Sequence, residues 1–283
     1  MNDSMKEYIH LKKQFQAQDK DSSSVLALYD FADRLNLLET SEAKQVLVDV
    51  YQELGLYASA YTLFLGLVDK SDRKQVKKLF TLEKMSLSHG DRFALSRPLT
   101  EKEKEAHKEK VSELPTFRYH PDPLATGSFK EGEPKTCPSC GVDHTIYYAL
   151  RPYCIENVEN LCPTCISTGR AAQKFEAEFI QDADWQGVMD KEKDQVLFCQ
   201  TPGYISWQGE NWLSCCQDYC AYLGTVGTRE LEEMGIAERV LEEYEARGEF
   251  QDVADYLVKD GDMCGYLFRC LHCEQYHLWV DAN

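Results

Sequence analysis

The sequence predicts an α+β protein, with a cysteine-rich C-terminal domain of short strands and helices behind an all-α helical-hairpin extension. Three observations carry that prediction. Apolar residues recur at helical spacing through much of residues 25–89. All twelve cysteines lie at or after Cys137. The acidity is equally one-sided: residues 1–113 carry 18 Lys and Arg against 19 Asp and Glu, whereas residues 114–283 carry 13 against 29. The expected domains are therefore 1–113 and 114–283, and 283 residues give each an ample core.

The helical part reads in order. Apolar spacing over 25–38 marks a first helix. Thr40 or Ser41 can cap a second over 42–54, which Gly55 ends. Two more are expected over 57–68 and 72–89, with Gly90 as the stop. Tyr51, Gly55, Tyr57, Ala60 and Phe64 stand as Y-x3-G-x-Y-x2-A-x3-F, which resembles one tetratricopeptide hairpin. A single repeat cannot bury its own faces, so an ordinary helical bundle is the competing reading. Residues 98–113, dominated by Lys and Glu, read as a solvated helix or linker. Pro115, Pro121, Pro123 and Pro134 then mark an extended entry. Beyond it, strands are expected at 145–150 and 265–269, and Tyr244-x3-Gly248-x-Phe250 within 235–258 reads as an inserted helical hairpin.

Composition narrows the function. A net charge of −17 repels phosphate backbones and anionic lipid, so neither nucleic acid nor membrane is an expected partner. No apolar run approaches the roughly 18 residues of a membrane span. Residues 1–14 lack the apolar core of a signal peptide, so the expected location is the cytoplasm. In that compartment clustered thiols serve as metal ligands or redox groups rather than as a disulfide framework.

Cys137-Pro-Ser-Cys140-Gly141 is a knuckle sequence: two thiolates grip one ion while the backbone amides between them turn toward the sulfurs. Cys162-Pro-Thr-Cys165 follows after a 21-residue interval. Two such pairs close a tetrahedral four-thiolate site suited to structural zinc. With a strand at 145–150 and a helix at 170–179, the arrangement expected is a zinc ribbon or treble clef. A second site is looser. Cys216 and Cys220 share one face of an expected helix, and Cys270-Leu-His-Cys273 sits between strand-like 266–269 and 276–280. Cys216, Cys220, Cys270 and Cys273 are therefore the expected second ligand set, with Cys215 or His272 as possible substitutes. Cys154, Cys199 and Cys264 read as buried thiols. Two Cys-Pro-x-Cys motifs also admit thiol–disulfide chemistry, which would want a strand-to-helix setting that the loop before Cys137 does not supply. A hydrolytic zinc needs an open ligand position, which two complete four-cysteine sets do not leave.

Tyr204, Trp207, Gln208, Glu210 and Trp212 lie in one turn-rich stretch, 201–212. Aromatics amid polar residues line recognition surfaces, and equally pack over a metal site. Both readings stand.

Three groups of motifs carry a family resemblance: Leu114-Pro-Thr-Phe-Arg-Tyr-His-Pro-Asp-Pro-Leu124, the two cysteine pairs followed by Ala171-Ala-Gln-Lys-Phe175, and residues 201–212 with Tyr266-Leu-Phe-Arg-Cys-Leu-His-Cys273. Together they resemble the bacterial CbrC family over about residues 114–283. The resemblance implies a small cysteine-rich protein linked to colicin tolerance and supplies no catalytic residues. The expected function is a non-enzymatic, zinc-stabilised module that binds a protein partner, in envelope stress or bacteriocin tolerance. The alternative is a thiol redox enzyme or a hydrolase with an incomplete metal site.

Overall fold

The computed structural model describes residues 3–18, 20–91, 94–184, 188–247 and 250–282. They form two compact units, 1–107 and 108–283, whose border falls inside a helix.

The first unit is helical: α1 (Asp3–Ala17), α2 (Ser22–Asn36), α3 (Ser41–Leu54), α4 (Tyr57–Leu65) and α5 (Arg73–Ser88). Side-chain caps set three of the starts. Asp21 accepts from the Ser24 amide at 2.8 Å, Thr40 from Ala43 at 3.2 Å and Asp72 from Lys74 at 2.8 Å. Gly55, at φ 80°, stops α3 in the left-handed conformation that a residue with a Cβ resists, and α4 turns back from there. Ala60 is fully buried, so α4 approaches α3 closely, with Val48 and Phe64 in the same cluster. The expected hairpin is thus formed. The first helix is an addition to the expected set: Tyr8 and Phe15, seven residues apart on one face, join Leu28, Phe31, Leu35 and Val50 in the core.

α6 (Glu101–Glu113) buries no residue, as its Lys/Glu composition requires. The second unit then mixes short helices with small sheets, an α+β arrangement. An antiparallel hairpin joins β1 (Phe129–Thr136) to β2 (Asp143–Tyr148). Two short helices follow, α7 (Pro163–Ser167) and α8 (Arg170–Phe175). The helix expected over 170–179 ends early, because Glu176 adopts a left-handed φ of 48° and Glu178 pairs with Tyr153 as an isolated bridge. β3 (Asp182–Ala183) pairs in parallel with β4 (Asn211–Trp212), flanking α9 (Lys191–Gln200), which the Asp190 carboxylate caps.

β5 (Ser214–Cys215) and β6 (Asp218–Tyr219) form a tight hairpin. Here the structure corrects the helix expected to carry Cys216 and Cys220. Cys216 at φ 53° and Gln217 at φ 60° make the two-residue turn with both central residues left-handed, which matches strand twist. β7 (Ala221–Val226), β8 (Met263–Arg269) and β9 (Tyr276–Ala282) complete an antiparallel sheet in sequence order. Between β7 and β8, α10 (Thr228–Glu233) and α11 (Ala237–Arg247) pack Leu231, Val240 and Tyr244 against Leu267, Leu278 and Val280. The second half of the expected inserted hairpin is a three-residue helical turn at Val253–Asp255, and its turn residue Gly248 lies outside the described residues.

The other side of the sheet faces an aromatic core. Tyr204 stacks on Tyr222 with ring centroids 4.3 Å apart, and Trp212 meets Phe268 edge-on at 5.6 Å. Such ring pairs add about 0.5–1.5 kcal/mol each beyond the area they bury.

Candidate metal centres

Each centre is built from two turns that present sulfurs to one another. In the first, β1 runs into the Cys137 knuckle, where the Cys137 amide donates to the Val142 carbonyl at 2.9 Å and Gly141, at φ 74°, turns the chain into β2. Cys162 caps α7, and Pro163 occupies the first turn, where no amide donor is needed. The sulfurs of Cys137, Cys140, Cys162 and Cys165 all lie within 4.8 Å of one another, with Cys140 and Cys162 at 3.9 Å. Only Cys140 of the four is partly exposed. Burial alone would raise the Cys137 thiol, but amides of Cys162, Cys140 and Ser139 donate to its sulfur and bring it down to about 7. Lys174 of α8 donates to the Pro138 carbonyl at 2.6 Å and pins the knuckle from outside.

The second centre gathers Cys215, Cys216, Cys270 and Cys273, again within 4.8 Å, with Cys215 at 3.7 Å from both Cys216 and Cys273. Cys215 replaces the expected Cys220. The tight β5–β6 turn sends adjacent residues toward the same knuckle, whereas Cys220 is fully buried in the aromatic core, and its carbonyl accepts from Trp212 Nε1 at 2.8 Å. The facing knuckle closes when the Cys270 amide donates to the Gln275 carbonyl at 2.8 Å. Burial works against the Cys270 thiolate, but amides of Cys273 and His272 at 3.4 Å bring its pKa down to about 7. Cys216 and Cys273 are exposed, so this centre is the more open one. Lys193 of α9 donates to the Gln217 carbonyl at 2.8 Å, a counterpart to Lys174 at the first centre.

The spacing has a chemical meaning. Four sulfurs about 2.3 Å from a central ion at tetrahedral angles stand about 3.8 Å apart, whereas a disulfide needs about 2.05 Å. The sulfur–sulfur separations of 3.7–3.9 Å match the first figure. Both groups could hold a metal ion. Cys154, Cys199 and Cys264 belong to neither.

His272 does not join the sulfur set. Its Nε2 lies 2.9 Å from Asp218 Oδ2. Asp218 also accepts from Arg118 and, at 2.8 Å, from the Tyr119 hydroxyl. Burial alone would raise the Asp218 carboxyl, but bonds from His272, Tyr119 and Arg118 hold it below the ordinary carboxylate range. This clamp joins residues about a hundred positions apart, and the only sequence signal was that Arg118 and Tyr119 lie in the 114–124 motif. The expected recognition surface is largely overturned. Tyr204, Glu210 and Trp212 are buried, and only Trp207 and Gln208 reach solvent. Periodicity cannot see this, because the stretch is irregular and Tyr204 and Trp212 pack on the sheet while Trp207 does not.

The model of the uncharacterised protein family UPF0167 matches residues 114–282. The chain belongs to the UPF0167 family. UPF0167 protein PA1536 of Pseudomonas aeruginosa is 39% identical over 174 residues, 59% of this chain and 97% of the relative. UPF0167 protein Mb2317 of Mycobacterium bovis and UPF0167 protein MT2352 of Mycobacterium tuberculosis are each 37% identical over 177 residues, 59% of this chain and 93% of the relative. Relatives so nearly used up by the match have no length left for the helical unit. These findings overturn the resemblance to the CbrC family: model and relatives alike carry the UPF0167 name, and colicin tolerance does not come to this chain through them. The tetratricopeptide likeness rests on the α3–α4 hairpin alone, outside the matched residues. No solved structure gives a significant match. No helix among the described residues is long and apolar enough to cross a membrane.

Proposed function

We propose that this chain is a non-enzymatic binding protein whose UPF0167 unit, of the zinc-ribbon or treble-clef kind, folds around two structural zinc ions. The S···S separations near 3.8 Å in both four-cysteine groups carry this reading. Cys137, Cys140, Cys162 and Cys165 would hold one ion, and Cys215, Cys216, Cys270 and Cys273 the other. Complete sets of four leave no ligand position for substrate or hydroxide, which argues for scaffolding rather than hydrolysis. Thiol redox has in its favour the lowered Cys137 and Cys270 thiols and the place of Cys162 at the start of α7. Burial pushes the Cys162 thiol up, the opposite of an activated nucleophile. A protein partner would dock on α5, where Val76, Phe80 and Leu87 are exposed at helical spacing. Reduced thiolates and an acidic surface suit a cytoplasmic protein that meets neither nucleic acid nor membrane.

Elemental analysis of purified protein with a free-thiol count tests the reading. About two zinc per chain in a colourless protein is the expected result. Absorption bands of iron–thiolate would replace zinc by iron, and metal-free folded protein that cycles disulfides would replace the module by a redox enzyme.

A further inference from the structure

Away from both cysteine groups, the second unit holds a concavity of about 560 Å³. A β-bulge creates it. Tyr222 pairs with Phe268 and Gly224 with Leu267, so Leu223 is left over and turns outward. Gly224, at φ 125°, takes the backbone through a region that residues with a Cβ rarely adopt. The rim carries three large exposed hydrophobics: Ile205, Trp207 (53% exposed) and Leu223. Tyr222, Tyr266 and Cys264, all buried residues, lie beneath them.

Two donors on the cavity lining have no protein partner among the described residues, the Tyr222 hydroxyl and the Lys259 ammonium. Tyr222 is 98% buried (2% exposed) and lines the cavity, yet among the described residues its hydroxyl makes no hydrogen bond. The hydroxyl oxygen is not sealed from solvent, so it opens onto the cavity and is free to donate there. Lys259 on the rim has no carboxylate partner among the described residues. Asp260, the lining acid, is already engaged by the Thr225 hydroxyl at 2.6 Å. Trp207 is fixed rather than loose: its Nε1 donates to the Gly261 carbonyl at 3.1 Å and its amide to Asp281 at 3.1 Å. A preformed apolar space of this size with a few placed polar groups has the character of a small-molecule site.

We infer that this cavity binds a small monocarboxylate with an apolar or aromatic body, which lies against Trp207, Ile205 and Leu223 and offers its acceptor oxygens to the Tyr222 hydroxyl and the Lys259 ammonium. The inference does not depend on the metal reading.

Calorimetric titration of the full-length protein with 2-naphthoate, octanoate and the neutral 2-naphthylmethanol tests it, with zinc measured on the same sample. At least one carboxylate should bind 1:1 with a dissociation constant on the order of 100 µM. Tyr222→Phe removes an oxygen that bonds to nothing, so a merely structural tyrosine would tolerate it. Here it should weaken carboxylate binding about tenfold, as should Lys259→Met, with folding unchanged. Absence of saturable binding of both acids up to about 2 mM would overturn the inference. So would equal affinity for the alcohol, or undiminished binding in both variants. Zinc-loaded protein that binds no acid sinks this inference alone, and acid-binding protein without zinc sinks only the metal reading.

Discussion

His272 Nε2 lies 2.9 Å from Asp218 Oδ2, and this bond ties the Cys270 knuckle to the β5–β6 turn that carries Cys215 and Cys216. The two halves of the second centre are therefore held in register from outside the sulfur set. Partners one step removed from a metal orient the ligands themselves. Asp218→Asn should cost about 1–2 kcal/mol, because Tyr119 and the half-exposed Arg118 and His272 lose a charged acceptor. Thermal unfolding measures the loss, and a colorimetric chelator should draw metal faster from the second centre than from the first. Unchanged release from both would make the clamp incidental.

The ligand sets are distinguished by substitution. Cys215→Ser and Cys270→Ser should each lose one zinc of about two, and Cys137→Ser the other. Cys220→Ser should keep both ions while losing core stability, since that side chain sits among Trp212, Phe268 and Cys270 in the aromatic core. Metal loss from Cys220→Ser with none from Cys215→Ser would reverse the assignment.

His120 supplies a pH dependence. It is fully buried, its Nδ1 proton donates to the Pro202 carbonyl at 2.8 Å, and its Nε2 accepts from the Thr126 hydroxyl at 2.7 Å. Burial lowers its pKa to about 4. Between about pH 6.5 and about pH 4 the unfolded chain binds a proton that the folded chain refuses, so stability falls as pH falls through that window, by about 3 kcal/mol at most. His120→Asn keeps a donor for Pro202 and titrates nowhere in the window. Its denaturation midpoint should decline less over that range than that of the parent. Equal slopes would place the histidine outside the acid response.

Limited proteolysis should cut within α6, which buries no side chain, and release a fragment beginning near Lys108 that keeps its metal. Relatives such as PA1536, matched over 97% of their length without the helical unit, support independent folding. A released fragment that unfolds and sheds metal would mean that the two units depend on each other.

The sequence was informative wherever chemistry is local. The cap at Thr40, the Gly55 stop and the Cys137 and Cys270 knuckles depend on residues a few positions apart, so spacing alone announces them. It failed at Cys216 and Cys220, where an i, i+4 pattern suits a helix but the aromatic neighbours Trp212, Tyr219 and Tyr222 favour strands. It failed again at Tyr204 and Trp212, whose burial is set by the sheet they pack on.

By itself, then, the sequence determined a two-part chain, helical and then cysteine-rich, with one four-thiolate set readable from its spacing. The tertiary structure alone decided that Cys215 rather than Cys220 faces Cys270, that Asp218 gathers Arg118, Tyr119 and His272, and that Tyr222 keeps an unpaired hydroxyl in a cavity. Each of these joins residues tens of positions apart, and their meeting depends on sheet register and turn handedness. A shift of one residue in β7 or in the β5–β6 turn would send the same side chains to the opposite face.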